Sequence, residues 1–150
     1  MKKGTLILGA DHAGFKVKEF VKKELLRLNY PVEDVGTHST AKVDYPDYAE
    51  KVSVQVKKNK NSRGILVCDT GIGASIAANK IPGIRAALVH HGRDARLSRE
   101  HNDANILVLG GRPFIRKRIK RIVSVWLKTG FKGGRHKRRV DKIISLERRY

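Results

Sequence analysis

The segment Cys68–Ser75, CDTGIGAS, concentrates residue types that could do chemistry. A lone thiol stands where an apolar run gives way to a glycine loop and then to a helix-compatible stretch. Backbone N–H groups at such a strand-to-helix turn lack intrahelical partners and point at one spot, which suits a phosphate or an oxyanion formed during reaction. The spacing is neither the dinucleotide fingerprint GxGxxG nor a Walker A loop, so no nucleotide cofactor is implied. A helix start favours negative charge on sulfur. Asp69, next door, opposes it unless its carboxylate points away. Taken singly, Cys68 also reads as a small buried residue that closes a strand.

Other candidates are scattered. His101 and Asn102, in SREHNDAN, end a helical stretch just before an apolar run, where a histidine could act or simply cap the helix. Asp11 and His12 follow the first apolar run and could serve as an N-cap near Gly14. In GGRHKRRV, Arg135 and Arg139 stand at i and i+4 with His136 between them. They share a helix face and could fork onto a phosphate, or belong to a merely basic helix. No His/Cys/Asp cluster has metal-ligand spacing, and no nucleophile–base pair of the serine-hydrolase kind is visible. One cysteine in the chain rules out an internal disulfide framework.

The elements that must position these residues alternate between strand-like runs and amphipathic helical stretches. Strands are predicted at Gly4–Ala10, Val32–Val35, Gly64–Val67, Arg85–His90 and Ala104–Leu109. Helices are predicted at about Phe15–Leu28, Tyr45–Val56, Ser75–Asn79, Asp94–His101 and Phe114–Leu127, with a basic final helix at about Lys137–Arg148. This alternation predicts an α/β fold, a doubly wound, Rossmann-like, five-stranded parallel sheet with helices on both faces. Ligands of such sheets bind at the carboxyl ends of the strands. Asp11 and His12, Cys68–Gly73 and Arg112 follow strands, as that rule requires, and Asp44 and Tyr45 lie beyond the second strand.

The chain has 150 residues, 40% of them hydrophobic, which suits one domain with a real core and argues against disorder. No apolar run approaches the ~20 residues of a membrane span. The opening MKKGTLILGADHAG reads as a buried first strand rather than a secretion signal, because Asp11 interrupts its apolar part. A cytoplasmic location is expected. The formal charge is +19, with most of the excess from Arg112 onward. Such a balance fits nucleic-acid binding, or a solvated basic surface around a site for small anions.

The motifs GADHAGF, DYPDYA, CDTGIGASIAANK, GIRAAL, LSREHNDANILVLGGR and GGRHKRRV occur in this order from about Leu6 to Val140. Jointly they resemble ribose-5-phosphate isomerase type B, in the family that also contains the galactose-6-phosphate isomerase subunits. The resemblance implies an aldose–ketose isomerase working through an enediolate, without metal or cofactor. It assigns Cys68 as the proton-transferring base, and His101 as the residue that helps open the furanose ring. Thr70 and the amides of Gly71, Ile72 and Gly73 would hold the enediolate oxygens. Asp11, His12, Tyr45 and Asn102 would contact substrate, and Arg112, Arg135, His136 and Arg139 would cradle its phosphate. The last three are implied to reach the site from a partner subunit through the segment 130–150, so a homodimer, or a dimer of such dimers, is expected. The family commonly has glycine where this chain has Asp69. An outward Asp69 is expected, since an inward carboxylate would repel both phosphate and enediolate.

Two other readings stay open at this point. One is the same fold acting on a six-carbon aldose 6-phosphate such as allose or galactose 6-phosphate. The other is a basic nucleic-acid-binding domain, against which stand the few aromatics and the lack of any RNA-binding pattern.

Overall fold

The computed structural model describes residues 2–150. Five strands, β1 (Leu6–Ala10), β2 (Val32–Asp34), β3 (Arg63–Cys68), β4 (Ala86–Leu88) and β5 (Ile106–Gly110), form one parallel sheet in the order β2-β1-β3-β5-β4. The helices are α1 (Phe15–Arg27), α2 (Tyr45–Lys58), α3 (Ile72–Ala78), α4 (Gly92–Asn102), α5 (Arg116–Lys128) and α6 (Arg135–Leu146). The expected doubly wound sheet is present. Its order reverses beside β1: the chain moves from β1 to β2 on one side and crosses back to β3 on the other. That reversal opens a crevice at the carboxyl ends of β1 and β3.

Alternation along the strands divides the core in two. Leu6, Leu8, Ile65, Val67, Leu107 and Leu109 pack against the apolar faces of α1 and α5. Ile7, Leu66, Cys68, Ile106 and Val108 face the other way, toward α2 and α3. In α5, Ile119, Ile122, Val123, Trp126 and Leu127 recur at helical spacing and are buried. Both faces being covered, the strands read as continuous apolar runs.

Lys18, one of the lysines interleaved on α1, is 1% exposed. Its ammonium lies 2.8 and 2.7 Å from the two oxygens of Asp34, and the Gly36 N–H donates to the same carboxylate at 3.0 Å. Burial alone would raise the Asp34 carboxyl, but Lys18, the Gly36 amide and Lys22 outweigh it and hold Asp34 below the usual carboxylate range. This pair fixes the end of β2, from which the chain runs to Tyr45.

Element boundaries move in two informative places. Helix α3 begins at Ile72 rather than at Ser75, because Gly71, at φ +81°, completes the turn in the left-handed region. Likewise α6 begins at Arg135 rather than Lys137, since Gly133 and Gly134 at φ +65° and +56° make the turn before it. No helix among the described residues is long and apolar enough to cross a membrane.

Candidate functional site

Three loops meet at the crevice, following the neighbouring strands β1, β3 and β5. Glycines let them approach. A Cβ on Gly14 would press on the Val67 carbonyl, and one on Gly111 would meet the Ala13 and Cys68 carbonyls. Cys68, 3% exposed, closes β3 opposite Gly110. The Gly71 N–H donates to its Sγ at 3.2 Å. Gly71 lies at a positive φ that favours glycine, and a Cβ there would press on the Leu88 side chain.

The three amides expected at one spot divide their work. Gly71 N–H serves the sulfur, and Ile72 N–H donates to Thr70 Oγ1 at 3.1 Å. Gly73, in the first turn of α3, keeps an N–H without an intrahelical acceptor. The Tyr45 ring, carried on the first residue of α2, lies against Gly73 so closely that a Cβ would strike it. Asp11 is buried, and its Oδ1 accepts the Gly14 N–H at 2.9 Å, so it shapes the turn into α1. His12 is anchored through Nδ1, which stands 3.2 Å from the nitrogen and 3.1 Å from the oxygen of Val43. It accepts from that backbone in one tautomer and donates in the other, and among the described residues no hydrogen bond engages Nε2.

Asp69 turns to Arg112 rather than to Cys68 Sγ. Its carboxylate is half-exposed, and Arg112 Nε donates to Oδ1 at 2.6 Å. The partner is an arginine of the expected phosphate cradle rather than a lysine.

The remaining candidates form a second cluster elsewhere. His101 and His136 stack with ring centroids 4.1 Å apart and planes 8° from parallel. His136 and Val140 turn inward from α6 toward α4. Burial, then the charges of His101, Arg135, Arg139 and Lys132, hold His136 below the usual histidine range. Sequence reading gave no hint of two residues that dock this cluster. The Lys132 N–H donates to the Glu100 carbonyl at 3.1 Å, and its ammonium lies 3.0 Å from the Glu100 carboxylate. Nothing in composition or spacing marks a contact between positions 100 and 132.

The two clusters lie at opposite ends of the sheet. Cys68 aligns with Gly110, the last residue of β5, whereas His101 and Asn102 end α4 before β5 begins at Ile106. The Asn102 carbonyl accepts from Arg85, one residue ahead of β4, which fixes it at the amino end. Five strand residues separate these ends by roughly 13 Å. One chain therefore brings Cys68, Thr70, Gly71, Ile72, Gly73, Asp11, His12, Tyr45, Asp69 and Arg112 together, and holds His101, Asn102, Arg135, His136 and Arg139 apart. Among the described residues no group of three or more His, Cys, Asp or Glu could hold a metal.

A doubly wound α/β sheet with a cysteine loop at its switch point defines the structural class. Residues 6–143 match the family model described as Ribose/Galactose Isomerase, and the chain belongs to that family. Ribose-5-phosphate isomerase B of Escherichia coli (strain K12) is 43% identical, with 99% of each chain covered. The structure of ribose-5-phosphate isomerase B from Clostridium thermocellum superposes with a TM-score of 0.95 at 49% identity, covering 97% of this chain and 99% of that one. The enzyme from Mycoplasma genitalium with bound ribulose-5-phosphate gives a TM-score of 0.95 at 39% identity, with both chains fully covered.

Proposed function

We propose that this protein is an aldose–ketose isomerase that interconverts ribose 5-phosphate and ribulose 5-phosphate. Family membership over nearly the whole chain supports the reaction. The observation that carries the mechanism is Cys68 Sγ held at the crevice by the Gly71 amide. In this reading the Cys68 thiolate removes the proton from the carbon beside the carbonyl and returns it to its neighbour. The Gly73 amide and Thr70 stabilise the oxyanion of the enediolate, a contribution of about 3–4 kcal/mol for each donor of this type. His101 exchanges protons with the sugar oxygens as the ring opens.

Because one chain keeps His101 away from Cys68, the working site is composite. One subunit supplies the cysteine loop, Asp11, His12, Tyr45 and Arg112. A second subunit supplies His101, Asn102, Arg135, His136 and Arg139. A homodimer is the smallest assembly that completes such a site, and the family resemblance supports reading it as a cofactor-free enzyme of the pentose phosphate pathway that works in the cytoplasm. Exposed Ile72 and Ile76 on α3, next to the cysteine loop, offer an apolar surface for the second subunit.

Coupled assays with ribose 5-phosphate, allose 6-phosphate and galactose 6-phosphate test the proposal. Ribose 5-phosphate is expected to give the highest kcat/KM. A higher value for either six-carbon sugar would transfer the assignment to that substrate.

A further inference from the structure

We propose that Asp69 is a positioning residue that ties Arg112 to the loop of the base, and so sets the length of sugar phosphate that the site accepts. This deepens the isomerase reading and rests on it. The carboxylate belongs to the residue next to Cys68, and Arg112 stands at the crevice end of the neighbouring strand.

Residues 68–69 and 111–112 are joined through their backbones before any side chain contributes. The Gly111 N–H donates to the carbonyls of Cys68 and Asp69 at 2.7 and 3.0 Å, and the Arg112 N–H donates to the Asp69 carbonyl at 3.3 Å. These bonds continue the β3–β5 register past Cys68 and Gly110. The ion pair between Arg112 Nε and Asp69 Oδ1 is thus built on two main chains already locked together.

Its side chains are 70% and 53% exposed, and exposed ion pairs add little to stability. Orientation is what it supplies. A guanidinium held at Nε keeps its two terminal nitrogens as a fork for an anion. With Arg112 held to residue 69 and the base at residue 68, the distance from the thiolate to the guanidinium that this chain adds to the phosphate cradle is set within one pair of strands. An additional carbon in the substrate then misplaces either the reacting carbon or the phosphate. Sγ takes its bond from Gly71 and the Asp69 carboxylate takes its bond from Arg112, so the proposed action of the carboxylate is on the guanidinium.

The test compares wild type, Asp69→Gly and Asp69→Asn on ribose 5-phosphate and allose 6-phosphate, after thermal melts confirm that all three fold. Asp69→Gly is expected to raise KM for ribose 5-phosphate about five-fold, the effect of ordering one long side chain on binding, with a smaller change in kcat. It should also narrow the gap in kcat/KM between the two sugars. Asp69→Asn, whose amide oxygen still accepts from Nε, should recover most of both losses. A lower KM in Asp69→Gly would show that the carboxylate competes with phosphate, and would overturn the proposal. So would unchanged selectivity, or an acid limb of kcat/KM displaced by half a pH unit or more. Should wild type isomerise neither sugar, the isomerase reading fails by itself. Titration with inorganic phosphate then decides the positioning role: weaker binding in Asp69→Gly alone supports it, and equal binding overturns it.

Discussion

Cys68 combines burial, a strand end and one donated N–H at its sulfur, and each can be removed separately. Cys68→Ala deletes the proposed base and leaves the Gly71 amide without an acceptor. The lost hydrogen bond costs about 1 kcal/mol, which a folded protein of this size tolerates. Turnover is expected to fall by at least about 10²-fold while substrate binding is nearly retained. Isothermal titration with ribose 5-phosphate beside a coupled assay separates the two effects, and near-normal turnover by the folded variant would remove Cys68 from its role.

At the scale of the element, α6 is the helix whose docking depends on ionisation. His136 faces His101 and lies beside Arg135, Arg139 and Lys132, so a proton on its ring is disfavoured in the docked state. The undocked or unfolded chain has an ordinary histidine and takes up the proton first as pH falls. The contribution of His136 is therefore fully present above the usual histidine range, about pH 6.5, and declines as pH drops below it. Thermal midpoints measured from pH 8 to pH 5 should fall more steeply for wild type than for His136→Asn. Parallel curves would show that this ring does not govern docking. A glycine break followed by a basic stretch made this helix visible in the sequence. The stack that seats it could not be read there, because it joins residues 35 positions apart through a glycine turn.

For the whole molecule, the proposed composite site would leave each half-site useless alone. In a mixed dimer of Cys68→Ala and Arg135→Ala subunits, one site draws Cys68 from one chain and Arg135 from the other, and is intact. Free subunit exchange should restore about a quarter of wild-type sites. Cys68→Ala mixed with His101→Ala should do the same. His101→Ala mixed with Arg135→Ala should stay inactive, because both lesions lie in the half-site given to the partner. Activity read after co-refolding checks all three mixtures, and rescue in the third would place His101 and Arg135 in different halves.

What the sequence by itself determined is what depends on local order along the chain. Apolar runs of strand length, separated by helical periodicity, dictate a parallel sheet covered on both faces. The crossover rule then places polar residues that follow strands at one end. Asp11, His12, Tyr45, Cys68 and Arg112 were legible for that reason, whereas the left-handed turn at Gly71 that starts α3 was not. Tertiary structure alone decided which candidates share a neighbourhood. His101 precedes β5 and Arg112 follows it, so one strand length keeps them apart although only ten residues of chain separate them. It also decided where Asp69 points, since its partner Arg112 lies 43 residues away in the chain and one strand away in the sheet. Side-chain direction and sheet neighbours depend on strand order and on the approach of the loops, and neither is encoded in any short window of residues.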